Sequence, residues 1–338
     1  MPQSLKTIAR RAGLSVATVS RALSDSPLVR EPTRIKVRRI ADELGYKRPP
    51  LVGAIMSSLR RSAQQSYLGN LALICITLPG KQALLPFHAG LVAGARLRAA
   101  ELGFKLDVLS HIPKDIRHAA LNRVLRSRGI TGLIFLNART RADFSRFDWS
   151  HFASTQIDHA ITSPVLHASG IDHHRTIHMA LTRLAGRGYK RFGFFIETHK
   201  DIILAYKWSG AFAAFQRIMP ALKHIPELEQ KVLQRPAFLS WFREYQPDIL
   251  VGHKTEIIGW LRDEGLRVPE DIGFFNLNLN ESPIPCAGLD LEAALQGAIA
   301  VESVVTQIHQ FERGAPAHPK TIHIEGRWMD GPTIRPAT

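Results

Sequence analysis

Val16, Ala17, Thr18, Ser20 and Arg21 lie within six consecutive positions and carry side chains that suit the major groove of DNA. Hydroxyls reach phosphates, small apolar groups meet thymine methyls, and an arginine can bond a guanine edge bidentately. Ser15, just ahead, is a natural N-cap for a helix running to about Ser24, with Val19, Ala22 and Leu23 turned inward. A plain helical hairpin with a polar outer face would read the same way locally, so the neighbouring elements decide.

Those elements agree. Leu5, Ile8, Ala9 and Ala12 form one apolar stripe, with Lys6, Arg10 and Arg11 left to solvent. Gly13 supplies a sharp turn before Ser15, because glycine takes positive φ without a Cβ penalty. A third helix opens at Pro32-Thr33, carries Val37, Ile40, Ala41 and Leu44 on one face, and stops at Gly45-Tyr46. Three short helices closing on one small core around a helix-turn-helix make a DNA-binding unit. Beyond it, Lys47-Arg48-Pro49-Pro50 forbids helix continuation, and 51–59 spells two helical turns containing a glycine. A helix that short does not hold alone in water, so ordering on binding is expected.

The charge balance points the same way. Of a net +15 over 338 residues, +9 falls in residues 1–61, which hold 13 lysines and arginines against 4 aspartates and glutamates. That is the footprint of a polyanion binder. Cys75 and Cys286 lack metal-ligand spacing and read as reduced thiols, and no apolar run reaches the ~18 residues a membrane span needs. A cytoplasmic protein, nucleoid-associated through DNA, is expected. Phosphate-binding loops, dinucleotide fingerprints, His-Glu-x-x-His and Gly-x-Ser-x-Gly are all missing, so the reading is no enzyme and no cofactor. Asp172-His173-His174 with His178 could in principle hold zinc, but no cysteine or second carboxylate accompanies it; Asp172 reads better as a helix cap and the metal expectation is none.

From Leu71 the texture alternates between apolar strands (71–76, 106–109, 132–136, 191–196, 249–251 and 273–275) and amphipathic helices (87–102, 116–128, 177–186, 205–219 and 291–311). Such alternation implies a parallel α/β domain of doubly wound type.

The run Leu5–Tyr46, with Thr18-Val19-Ser20-Arg21-Ala22-Leu23 and Glu43-Leu44-Gly45-Tyr46, closely resembles the headpiece of the lactose-repressor (LacI/GalR) family of transcription regulators. The segments Gly186–Gly193, Gly210-Ala211-Phe212 and Pro269–Gly273 resemble its periplasmic-binding-protein-like effector domain. The resemblance implies a fold of α plus α/β class: a three-helix headpiece (1–50), a hinge (51–65) and a two-lobed effector and dimerisation domain (66–338). Its lobes would cover about 66–159 with 291–323, and 160–290 with 324–338, crossing near 158–162, 288–292 and 324–328. Carried over from the family, Val16, Ala17 and Arg21 read bases, while Ser15, Thr18, Ser20, Thr33 and Tyr46 hold the DNA backbone, with Leu5 beside them. Ile55 takes the place of the hinge leucine that wedges into a minor-groove step, although Arg48, Val52 and Gly53 depart from the family's pattern there.

The resemblance also places an effector cleft between the lobes, with Phe87, Asp158, Lys207, His253 and Asn278 as contacts. His253-Lys254 stands where sugar-binding members have Asn-Asp, and Asn278 where they have aspartate. The implied site is donor-rich, for a sugar or an anionic metabolite. The implied protein is an effector-controlled homodimer, a repressor binding a near-palindromic operator and no membrane; with no leucine heptad at the C-terminus, a tetramer is not expected. A regulator without effector control stays open as an alternative, and an enzyme fused to a headpiece as a distant one.

Overall fold

The computed structural model describes residues 5–23, 29–44, 46, 68–77, 85–113, 116–137, 142–219 and 222–336. The chain divides into two compact units, residues 1–67 with 306–312, and residues 68–305 with 313–338.

In the first unit, α1 (Leu5–Ala12), α2 (Val16–Ala22) and α3 (Glu31–Glu43) enclose Ile8, Ala9, Ala12, Val19, Ala22, Val29, Val37, Ile40 and Ala41. Gly13 adopts φ +69°, and this lets the Leu14 N–H reach back to the Ala9 carbonyl at 3.0 Å, closing the end of α1. The Thr18 N–H donates to Ser15 Oγ at 3.0 Å, so Ser15 caps α2. Pro32 sits in the first turn of α3, where a missing N–H leaves no bond unmade. Leu5, Leu44 and Tyr46 pack half-buried against the rim of this core.

The second unit has two sheets. The chain runs β1 (Gly69–Thr77), α4 (Pro86–Glu101), β2 (Phe104–Pro113), α5 (His118–Ser127), β3 (Ile130–Asn137), β4 (Ala142–Asp143), β5 (Ala153–Ile157), β6 (Ile161–Ser163) and β7 (His167–Ile171). It continues as α6 (His173–Gly186), β8 (Phe192–Glu197), α7 (Thr198–Ile203), α8 (Lys207–Ile218), β9 (Leu228–Gln230), α9 (Arg235–Tyr245), β10 (Ile249–Gly252), α10 (Glu256–Asp263), β11 (Gly273–Asn276) and β12 (Ala287–Asp290), then α11 (Ala293–Gln310), β13 (Thr321–Ile324) and β14 (Arg327–Met329). The first sheet has the order β13-β7-β5-β3-β1-β2 and is parallel throughout; the second is β14-β12-β11-β10-β8-β9, with only β14 antiparallel. The short β4 and β6 pair separately. This is the doubly wound, two-lobed arrangement of a periplasmic-binding-protein-like domain.

The first crossing differs from its expected place near 158–162. β7 pairs with β5 and β13 in the first sheet, so the chain changes lobe only between Ile171 and His173. The reason is compositional: β5 reads Ala-Ser-Thr-Gln-Ile and β7 His-Ala-Ser-Gly-Ile, with little of the apolar bulk that marks a buried strand, yet all ten residues are buried. Part of this polarity is satisfied internally, as where Thr155 Oγ1 donates to the His167 carbonyl at 2.9 Å and Gln156 Oε1 accepts from Ile161 N–H at 3.1 Å, whereas Ser169 Oγ is buried without a hydrogen bond. The chain returns to the first lobe between Asp290 and Ala293 and leaves it between Ile324 and Arg327. Among the described residues no helix is long and apolar enough to cross a membrane.

Candidate functional site

The outward side of α2 is the candidate nucleic-acid interface. Ser15 and Val16 are exposed at its N-terminus, Val16 at 40%. Thr18 is half-buried and its Oγ1 lies 2.8 Å from Ser15 Oγ, so the two hydroxyls share the cap. Val19 and Ala22 occupy the opposite, fully buried side. The backbone of 17, 20 and 21 continues the helix, whereas the side chains of Ala17, Ser20 and Arg21 lie outside the described residues, as does Ile55 with the whole 47–67 segment. Thr33, half-buried in the first turn of α3, and Tyr46 flank the same small core.

The second site is a cleft of about 610 Å³ in the second unit, at the C-terminal ends of strands from both sheets, the usual ligand position in such folds. Its walls combine aliphatic side chains with charged and polar ones, and carry Phe87 on α4 and Trp208 on α8. Phe87, Asp158, His253 and Asn278 all line it; Lys207 does not, and Trp208 stands in its place. Lys207 is half-buried, and its charge helps to lower the pKa of Asp158.

Asp158 follows β5 in the left-handed region at φ 53°, where its N–H donates to the Ser169 carbonyl at 2.8 Å. Its Oδ1 lies over Gly170, where a Cβ would come within 2.3 Å of it, and 3.8 Å from His173 Nε2. Burial raises its pKa, but His173, Lys207 and His159 outweigh this and hold the carboxyl below its ordinary value. His173 in turn packs edge-on against Trp208, ring centroids 4.7 Å apart.

On the other wall, Glu197 ends the otherwise apolar strand Phe-Gly-Phe-Phe-Ile-Glu and is 4% exposed. Its Oε2 lies 3.2 Å from His253 Nε2, its Oε1 accepts from Leu233 N–H at 3.2 Å, and Lys254 Nζ stands 3.5 Å away. Burial pushes Glu197 up, but His253, the Leu233 N–H and Lys254 overcome it and bring the carboxyl down to about 2. Burial instead dominates His253, pushed down to about 4. Gly252 lets the Phe195 ring lie beneath this pair, since a Cβ there would meet the ring at 2.3 Å. Asn278 is engaged by its own turn: its Oδ1 accepts from Asn280 N–H at 3.1 Å and its N–H donates to Asn276 Oδ1 at 2.9 Å.

In formal charge the cleft is more acidic than His253-Lys254 and Asn278 alone suggest. Four carboxylates (Asp158, Glu197, Glu256 and Glu281) face two lysines, and both lysines are paired: Lys200 with Glu281 at 3.1 Å, and Lys254 with Glu197. Sequence reading passed over Glu197 and Gln296. The signal for Glu197 was a lone charge closing an apolar parallel strand, at the strand end where such sheets bind ligands. Gln296 gave none. Among the described residues no three His, Cys, Asp or Glu side chains converge to hold a metal; Asp172 Oδ1 caps α6 by accepting from Arg175 N–H at 2.9 Å, and His178 packs edge-on against Phe215.

Residues 4–49 match the family model described as "Bacterial regulatory proteins, lacI family". The chain is 26% identical over 296 residues to the HTH-type transcriptional regulator RegA of Clostridium saccharobutylicum, covering 83% of each, and 24% identical over 298 residues to the HTH-type transcriptional repressor CytR of Escherichia coli (strain K12), covering 82% of this chain and 81% of that one. Among solved structures, a transcriptional regulator CelR–cellobiose complex superposes with a TM-score of 0.58 at 18% identity, over 98% of this chain and 100% of that one. A lac repressor dimer bound to operator and the anti-inducer ONPF gives 0.56 at 18% identity, over 98% and 99%.

Proposed function

With a lacI-family DNA-binding domain in residues 4–49 as the premise, we propose that the chain is a sequence-specific transcriptional repressor whose operator affinity is set by a small molecule bound in the cleft. The curated relatives are HTH-type transcriptional regulators, not enzymes. The observation that carries the reading is the joint presence of a capped, outward-facing α2 and a cleft of about 610 Å³ with buried polar atoms that no protein group satisfies. Those atoms favour effector control over a constitutive regulator, because leaving them unpaired costs stability that a ligand restores.

The division proposed is a headpiece to about residue 50, a hinge of 51–65 and an effector domain from 66. Two copies acting as a dimer, in the cytoplasm, would read a near-palindromic operator, since a two-fold protein requires two-fold DNA. Val16, Ala17 and Arg21 would read bases; Leu5, Ser15, Thr18, Ser20, Thr33 and Tyr46 would hold the backbone, and Ile55 would wedge into the centre of the site. The test is selection of bound duplexes from a random pool by the full-length protein at fixed salt. A two-fold symmetric consensus supports the proposal, and salt-sensitive binding without any consensus overturns it.

A further inference from the structure

Three groups of the cleft each hold a buried atom without a hydrogen bond that can accept one, and beside them His173, 3.8 Å from Asp158, has both ring nitrogens buried and without a hydrogen bond. Gln296 is 1% exposed; its Nε2 donates to the Leu291 carbonyl at 2.7 Å, which fixes the amide orientation and leaves Oε1 buried and unpaired. Asp158 Oδ1 is likewise buried and without a hydrogen bond. His253 is the third, with Nδ1 buried and unpaired. Whether that nitrogen gives or takes a proton depends on its neighbour. An ionised carboxylate can only accept, so Glu197 Oε2, 3.2 Å from Nε2, requires the proton on Nε2 and leaves Nδ1 with its lone pair. Leu233 N–H and Lys254 occupy the other Glu197 oxygen, so the carboxylate stays aimed at His253.

We propose that Glu197 is a positioning residue that makes His253 an acceptor, so that the cleft presents acceptors to its ligand and takes molecules that bear hydroxyl or amine donors and no phosphate or carboxylate. This rests on the effector-cleft reading and gives it a ligand class. An anion would meet three acceptors, Asp158, Gln296 Oε1 and His253 Nδ1, against one buried imidazole, His173, that already stands beside the Asp158 carboxylate, and to gain a lysine it would have to displace Lys200 from Glu281 or Lys254 from Glu197. A donor-bearing ligand disrupts neither pair. Its apolar surface would lie against Phe87, Leu91, Ile157 and Trp208.

Two measurements on the full-length protein test this. The first needs no ligand: ¹⁵N NMR of histidine-labelled protein, with the His253 signals identified by their loss in His253→Gln. An unprotonated Nδ1 and a protonated Nε2 at pH 7 are expected, with Glu197→Ala shifting the proton toward Nδ1; a protonated Nδ1 in the wild type overturns the assignment. The second is calorimetry with matched probes: glucose and glucose 6-phosphate, adenosine and adenosine monophosphate, glucosamine and gluconate. In each pair that binds, the member without the anionic group should bind at least about tenfold more tightly, and Gln296→Leu should weaken it by about tenfold, the worth of one buried hydrogen bond. The sugar and nucleoside arms separate a polyol from a base, and the glucosamine arm shows whether an amine adds to the hydroxyls. Tighter binding of an anionic member, or binding by none of the donor-bearing probes, overturns the inference. An anion-preferring cleft that still alters operator affinity would leave the effector reading standing. A donor ligand that binds without altering operator affinity would do the reverse.

Discussion

His253 illustrates how one buried side chain ties ligand chemistry to stability. In the folded chain it protonates near pH 4, against 6.5 for an exposed imidazole, because burial penalises the cation more than Glu197 favours it. As pH falls through 6.5 the unfolded chain takes the proton first. The stability held by keeping His253 neutral is thus whole above 6.5 and is lost between 6.5 and about 4, at roughly 1.4 kcal/mol per pH unit. Glu197 behaves differently: its pKa falls from 4.5 to about 2, so its contribution is present above 4.5 and is lost only below it. Urea unfolding of wild type and His253→Gln at pH 7 and pH 5 should therefore show the wild type losing about 2 kcal/mol more than the variant, while Glu197 stays ionised. Equal losses would mean that His253 titrates normally. Cys75, buried in β1 with its thiol pushed up to about 12, should stay inert to thiol reagents at pH 8 until the domain unfolds.

Helices α4 and α11 lie so close that two glycines replace side chains at the crossing. A Cβ on Gly94 would come within 1.9 Å of the Ala294 carbonyl oxygen, and one on Gly297 within 2.0 Å of that of Leu91. Because the obstacle is backbone, the helices must part to admit a methyl group, and α11 carries Gln296 at the cleft. Gly94→Ala should destabilise the domain by about 2 kcal/mol despite its better helix propensity, and should weaken ligand binding as Gln296 shifts. Gly210, exposed on α8 with nothing within 4 Å of its would-be Cβ, is the control: Gly210→Ala should stabilise by about 1 kcal/mol. Thermal unfolding of both variants distinguishes a packing constraint from a mere propensity effect. The same elements show what sequence could reveal. α1 to α3 were legible because each has one apolar face over a small core and an explicit stop, such as Gly13. α4 and α11 were legible as helices, but their glycines declared nothing of their contact, which depends on a partner some 200 residues away. β5 and β7 escaped because a buried central strand can be built from Ala, Ser, Thr and Gly, without the bulky apolar run that marks one in sequence. Phe87, His253 and Asn278 reach the cleft because each follows or flanks an element that sequence placed, whereas Asp158 follows β5 and was named through the family resemblance. Glu197 and Gln296 depend on side-chain geometry that no spacing encodes.

At the scale of the whole molecule, the proposed mechanism has two ends, the basic surplus of residues 1–61 and the cleft of the second unit. If the cleft controls DNA binding, ligand and operator must alter each other's affinity by the same factor, commonly about 5–150-fold. The headpiece supplies the DNA side. Its arginine at position 21 should discriminate between bases, so Arg21→Ala should cost about 1–3 kcal/mol on the selected operator and far less on random DNA, whereas Ser20→Ala should weaken both alike. An equal loss on both DNAs for Arg21→Ala would take it out of the base-reading set. The cleft side is then measured twice: the affinity of a bound probe with and without saturating operator, and that of operator with and without saturating probe, at one salt concentration because phosphate contacts make the DNA term steeply salt-dependent. Equal factors different from one establish coupling between the cleft and the headpiece, and their sign distinguishes an inducer from a co-repressor. A factor of one in both directions, with the probe still bound, would leave a DNA-binding protein whose cleft has no hold on it. Repeating the pair of titrations with Ile55→Ala then locates the coupling. If the segment carrying Ile55 transmits it by inserting into the operator, the factor should collapse toward one while probe affinity in the absence of DNA stays unchanged.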